Sequence, residues 1–508
     1  MKRIVGGLTI LLAVLLPPAQ AAHKVVAANG NDAQSGSAGA PWATLLGAVS
    51  RVNPGDTIFV RGGIYPEGEI WIRADYGMGG HAGKYVTICA WPGETPVFNN
   101  SERGLIIDAS YVRVQGLRFE NGKPMYNTNW SGRSNHVEII GNTFTGTAGY
   151  AAIQLTGDDN LIAKNLIRLN GNNLGTQGHG IYVQEGSGNI IRENTISGMD
   201  GYGIHVYEEH RSEDPAGYRR LIKNIIVEKN VIFASRARSG IIVAAGADGG
   251  PADIHDILIR WNTVFNNAGS GIVVQGWSPI AGIQICNNTL FGNKTGDIWI
   301  IGNVDSVQII NNVLCHSGRL THIGARENVR HLTVRRNLYY PVPKVIENTS
   351  DTEAVEGDPG FVNPGQNDFS LRPGSPAIDA GLDLGWPYAG SAPDLGALEG
   401  NIAASVHHHS TPSPQRGGVM LENGMPNPFK QETRLRYRLN SNANVQMEIY
   451  DLSGRIVATL VSEEQPKGFY TQSWDGRDSA GKLLPSGIYF CRLRTPAEQI
   501  VQKLIITH

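Results

Sequence analysis

Cysteine is scarce in this sequence. Its four cysteines, Cys89, Cys286, Cys315 and Cys491, are far apart and form no CxxC pair. That spacing argues against a disulfide framework or a cysteine zinc site. An excess of one charge is also missing: Lys plus Arg is 43 and Asp plus Glu is 45 among 508 residues. A nucleic-acid binder would show a basic surplus, so no nucleic-acid partner is expected. Only 17% of residues are charged and 41% are hydrophobic, which excludes wholesale disorder. No apolar stretch has the length of a comfortable membrane span. What abounds is glycine, 63 residues, together with asparagine. Both suit a fold made of many turns. The length predicts two to four domains, or one long repeat unit with additions.

The N-terminus reads as a targeting segment. Lys2 and Arg3 precede an apolar run over 4–16, then Ala19-Gln20-Ala21. This is a secretory signal peptide over 1–21, and it predicts a soluble protein that is secreted or held at the cell surface.

The middle of the chain repeats. An apolar strand, an asparagine and another apolar residue recur in VEIIGNTF, LIAKNLI, IIRENTI, IIVEKNVI, ILIRWNTV, IQICNNTL, VQIINNVL and LTVRRNLY. The markers are Asn142, Asn165, Asn194, Asn230, Asn262, Asn288, Asn312 and Asn337, spaced 23, 29, 36, 32, 26, 24 and 25 apart. An earlier copy, VRVQGLRF, carries Leu117 at the marker position. Repeats of this length need a stacking architecture. Apolar residues alternate and Gly, Asn and Ser fill the breaks, so the units are strands and turns. A second strand lies between markers: AAIQL, HGIYV, YGIHV, SGIIV, SGIVV and GDIWI. Its inward pairs would be Ile153/Leu155, Ile181/Val183, Ile204/Val206, Ile241/Val243, Ile272/Val274 and Ile298/Ile300. Stacked in register, these strands form a parallel β-helix of about ten coils, spaced about 4.8 Å. A buried asparagine column fits, because each amide can donate to one coil and accept from the other.

With these features the segment resembles the right-handed parallel β-helix of the pectate-lyase-like superfamily. Its opening, VVAANGNDAQSGSAGAPWATLLGAVSRVNPGDTIFVRGGIY, is similar to the N-terminal region of polysaccharide lyase family nine. Trp42, Leu45, Val49 and Val52 share one helical face there, suited to capping the open coil. The close, GDPGFVNPGQNDFSLRPGSPAIDAG through PDLGALEG, resembles the far end of such proteins. The β-helix is thus assigned to 22–400.

A polar stretch over 401–418, including VHHHSTPSPQRGG, reads as a linker. Its histidine run is weighed as a metal tract and read as solvated linker. In 419–508, Leu435, Tyr437 and Leu439 alternate with Arg434, Arg436 and Arg438, and Val445, Met447 and Ile449 repeat the pattern. Short strands of this kind predict a β-sandwich. The words NPF, IYDLSGR, WDGRD and SGIYF and a final K-x-apolar strand resemble the type IX secretion sorting domain, which is immunoglobulin-like. That resemblance implies an outer-membrane secretion machinery as partner. The fold class expected for the whole chain is all-β: a β-helix with an asparagine ladder and an N-terminal helical cap, then a small immunoglobulin-like sandwich.

Chemistry must sit on outward side chains and loops. The outward columns run Gln154, Tyr182, His205, Ile242, Val273, Trp299 and Thr156, Gln184, Tyr207, Ala244, Gln275, Ile301. Polar and aromatic residues gather on the coils of Tyr182 and His205, with long loops over 208–221 and 245–256 as walls. Trp130 and Trp277 either line this groove or pack under loops. A β-eliminating lyase must neutralise a uronate carboxylate, take the C5 proton and protonate the leaving oxygen. His205, Tyr182 and Tyr207 are the candidate acid and base residues. His179, Gln184, Glu185, Glu208, Arg236 and Arg238 are candidate substrate-binding residues, with Arg or a bound Ca²⁺ meeting the carboxylate. A surface stack joining coils is the structural alternative.

The family resemblance implies an acidic calcium pocket and a lysine base. Here Asp158, Asp159 and Asp200 are scattered, and no lysine lies on the floor strands. The paired aspartates of pectin hydrolases are absent too. Glu185 and Glu208 occupy equivalent positions about 4.8 Å apart, near the carboxylate separation of a retaining glycosidase, roughly 5–5.5 Å. Three functions therefore stand: a lyase on a uronic-acid polysaccharide, a glycoside hydrolase, or a non-catalytic glycan-binding surface protein. A monomer is expected in each case.

Overall fold

The computed structural model describes residues 22–99, 104–121, 125–127, 134–146, 149–169, 171, 176–208, 221–246, 253–316, 320–399, 419–421, 429, 431–439, 442–451, 455–496 and 499–506. The signal peptide, the 401–418 linker and Trp130 lie outside them, as does most of the 208–221 loop. The chain divides into two units, 1–381 with 394–400, and 382–393 with 401–508.

The first unit is a right-handed parallel β-helix. Among the described residues one face is a sheet of twelve short parallel strands, from Gly63–Tyr65 to Val355–Glu356. Two further rows merge into a sheet of 22 strands, because strands such as Ile272–Cys286 bridge both rows. The alternation read in the sequence sets the register. Ile181 pairs with Ile204, Ile204 with Ile241, Ile241 with Ile272 and Ile272 with Ile298. These isoleucines are fully buried and form one column. Each contributes about 1.5–3 kcal/mol relative to exposure.

The asparagine ladder is buried and bonded coil to coil. The Asn230 amide oxygen accepts the Asn194 backbone N–H at 3.0 Å and the Asn194 side-chain N–H at 2.9 Å. Asn262 serves Asn230 in the same way. The ladder starts where the Leu117 N–H meets Asn142. It ends on Asp351, which accepts the backbone and side-chain N–H groups of Asn337 and the Tyr339 hydroxyl. A carboxylate has no donor to pass on, so it suits the last rung.

A short helix, Leu45–Val49, closes the N-terminal end. Of the expected face, Trp42, Leu45 and Val49 are buried and Val52 is partly buried, and Ala48 joins them. The Thr44 hydroxyl caps it, and Glu67 accepts the Leu45 and Leu46 N–H groups. The strands Phe361–Asn363 and Asp368–Leu371 cover a second core containing Phe265, Val313 and Leu338.

The second unit is a sandwich of antiparallel sheets. Among the described residues one has three strands, Val419–Leu421, Thr433–Leu439 and Gly468–Trp474. The other has four, Ala443–Tyr450, Ile456–Gln465, Gly487–Arg494 and Gln499–Ile506. Leu435, Tyr437, Leu439, Val445, Met447 and Ile449 form its core, as the alternation required.

Candidate active site

Two adjacent strands, His179–Val183 and Ile204–Glu208, carry the polar cluster. Inward Ile204 and Val206 send His205 to the outer side. The pairing sets Tyr182 beside His205. Their rings stack at 4.6 Å with a 13° interplanar angle. Tyr207 stacks on the other side at 5.1 Å. His179 approaches His205 edge-on at 4.4 Å, and Tyr202 lies at 4.9 Å. The imidazole of His205 is therefore ringed by four aromatic side chains.

His179 has a structural task. Its Nδ1 accepts the Tyr202 N–H at 3.0 Å. Gly201 allows this approach, since a Cβ there would lie 2.3 Å from that nitrogen. Burial, with help from the Arg238 charge, lowers the His179 pKa to about 3. His205 also falls well below its ordinary value, through burial first, then His179 and Arg238. Both rings are neutral at pH 7. Burial raises the Tyr202 phenol. His205 Nδ1 is buried and bonds to no described residue.

Arg238 is the cation of this cluster. It donates to the Thr176 hydroxyl at 3.0 Å and lies 5.7 Å over the Tyr202 ring. Among the described residues no carboxylate pairs with it. Arg236 differs from the expectation: its guanidinium is 2.6 Å from Asp200, so its charge is already met.

Other expectations also need correction. Facing away from the core does not make a residue accessible, because coil-to-coil stacking covers it. Tyr182 is 6% exposed, Gln184 2% and Glu208 2%. Gln154 donates to Gln184, which joins their coils. Ile242 and Ala244 are buried as well. Glu185 is half-buried, so Glu185 and Glu208 do not form an open carboxylate pair. Trp277 is 56% exposed, so it does not pack under a described loop. Tyr202 and Thr176 were missed. Tyr202 stands just before the inward strand in GYGIHV, and only the turn geometry places it against His205.

The site offers a neutral imidazole, a half-buried phenol in Tyr207 and a guanidinium that no carboxylate meets among the described residues. Calcium prefers six to eight oxygen ligands, many of them carboxylates. The imidazole, phenol and guanidinium groups here do not fit it. Among the described residues one group of three metal-capable side chains occurs elsewhere, at Asp297, His316 and His322.

The Pel9A-like right-handed beta helix region matches residues 24–168. A general right-handed beta helix region matches 97–248 and 130–314, and the FlgD Ig-like domain matches 426–495. Among solved structures, pectate lyase Pel9A is 19% identical with a TM-score of 0.52, covering 75% of this chain and 98% of that one. A rhamnogalacturonan lyase is 14% identical with a TM-score of 0.47, covering 67% and 90%. A glycoside hydrolase is 11% identical with a TM-score of 0.45, covering 66% and 96%. No curated protein matches the chain. The chain is thus similar in fold to pectate lyase Pel9A.

Proposed function

We propose that this protein is a secreted polysaccharide lyase that cleaves a uronic-acid-containing polymer by β-elimination. The observation that carries this reading is Arg238, a cation without a described carboxylate partner, beside the neutral imidazole of His205. A uronate carboxylate would pair with Arg238, which makes the neighbouring C5–H more acidic. The same negative charge would offset the Arg238 field that depresses His205 and so strengthen it as a base. His205 takes the C5 proton, the C4=C5 bond forms, and the C4–O bond breaks. Tyr207 is the group placed to return a proton to the leaving oxygen. Tyr182, His179 and Tyr202 are positioning residues that hold the imidazole. The match to the Pel9A-like region supports this reading. The burial of Glu208 disfavours the hydrolase.

The test is a panel of acidic and neutral polysaccharides offered to the mature protein. A lyase yields an unsaturated product that absorbs in the ultraviolet. Reducing ends without that absorbance would indicate hydrolysis, and binding without either would indicate an adhesive role. Both outcomes would overturn the proposal.

The C-terminal unit is proposed as a type IX sorting domain read by the outer-membrane secretion machinery. Its motifs and the FlgD Ig-like match support that assignment. A chain ending at Pro414, made in a heterologous host, should keep the melting transition of the β-helix and its activity. Loss of activity on truncation would show that the sandwich takes part in catalysis.

A further inference from the structure

A column of glycines runs along one inner corner of the β-helix: Gly180, Gly203, Gly240 and Gly271, each just before an inward isoleucine. The corner has no room for a side chain. A Cβ on Gly203 would lie 2.3 Å from Ile232, and one on Gly240 would lie 2.2 Å from Val264. In the next two coils the same position holds Asp297 and then His322, since Ile272 pairs with Ile298 and Ile298 with Ile323. Both are fully buried, and buried His316 joins them from the end of the strand Val313–Cys315. One ligand atom from each of the three lies within 4.8 Å of the others. His316 Nε2 is 4.0 Å from an Asp297 oxygen, and the two imidazole rings are 4.1 Å apart.

Neither oxygen of Asp297 has a hydrogen-bond partner among the described residues. A bare buried carboxylate is among the costliest groups a fold can carry, so it must be protonated or held against a cation. The His322 tautomer bears on the choice. Its Nε2 faces the Tyr340 carbonyl at 3.3 Å, and a carbonyl only accepts, so Nε2 carries the proton. The lone pair is then on Nδ1, where it accepts the Val345 N–H at 3.1 Å. His322 thus has the tautomer of a metal-bound histidine, and Nδ1 becomes the ligand atom only when the Val345 N–H gives way to the ion.

We propose that Asp297, His316 and His322 bind one divalent transition-metal ion of the zinc class, as a structural clasp between successive coils. Two imidazoles and a carboxylate suit zinc, at bond lengths of about 2.0–2.2 Å. Calcium would need more oxygen ligands. Binding draws the 4.0 Å contact together by less than an ångström and replaces the Val345 hydrogen bond with a coordinate bond. The clasp sits three coils from His205, about 14 Å along the axis, so it is separate from the proposed active site.

The test uses the full chain. Protein loaded with Zn²⁺ or Co²⁺ and desalted is assayed for metal per chain, for the visible spectrum of the cobalt form and for thermal stability. The expected result is about one ion per chain, the visible spectrum of a cobalt site with three protein ligands and a water as the fourth, and a raised melting temperature. Asp297→Asn should abolish all three. His316→Asn serves the same purpose if the first variant does not fold. The linker residues His407, His408 and His409 are a rival metal tract, so a variant with serine at all three is run in parallel and should retain the ion. No retained ion in the wild type, or retention unchanged by Asp297→Asn and His316→Asn, would overturn the proposal.

Discussion

His205→Ala is expected to lower kcat/KM by about 10²–10⁴-fold on a polymer that the parent cleaves, the usual contribution of a proton-transfer residue. The structure also shows that alanine removes a ring held between four aromatic neighbours. Stability should therefore fall with activity in this variant. His205→Phe separates the two effects, because it keeps the stack and removes the proton acceptor. It should melt near the wild-type temperature and remain inactive. Recovery of activity with phenylalanine would assign His205 to stacking alone. Tyr182→Phe should cost less than about tenfold, since Tyr182 is buried and acts through its ring. The pH profile gives a further readout. The folded His205 pKa lies below 6.5, so the base form prevails above that lower value. The acid limb of kcat/KM should accordingly fall below pH 6.5.

The sequence carried the β-helix because its information is periodic. Alternation at Ile204 and Val206 sets which way His205 faces, and eight aligned asparagines mark one turn. Partners across coils are harder to read. The lateral neighbours of a residue lie 23 to 36 positions away, and loops of unequal length blur the alignment. The Arg236–Asp200 pair spans 36 positions and the Arg238–Thr176 contact 62. Neither follows from local pattern. A second ladder, in which Asn267 donates to Asn293, was missed because it has too few rungs to repeat. Burial of Glu208 was missed for another reason: alternation gives direction, not cover. The Asp297–His316–His322 group becomes visible only once the glycine column is aligned, for then a carboxylate and an imidazole stand where the earlier coils tolerate hydrogen alone.

Asn230→Leu is expected to destabilise the β-helix by roughly 3–5 kcal/mol, more than one lost hydrogen bond would explain. The Asn230 side chain takes part in five. It accepts two from Asn194 and donates to the carbonyls of Ile191 and Glu228 and to the Asn262 amide oxygen. Leucine leaves the buried Asn194 N–H without an acceptor and fills the site with a side chain that cannot supply one. Each buried group left unmet costs about 1–3 kcal/mol. Asp351→Asn should be damaging for the converse reason. Its two oxygens accept five donors: the N–H groups of Arg336, Asn337 and Glu353, the Asn337 amide and the Tyr339 hydroxyl. An amide would turn a donor toward donors. The interlocking of the ladder is measured by a double-mutant cycle in urea. Asn230→Leu and Asn262→Leu share the bond between them, so the double variant should cost less than the sum of the singles by about 0.5–3 kcal/mol. Strict additivity would mean that each rung is held only by its own coil, and the ladder would then be a series of independent turns rather than a continuous support.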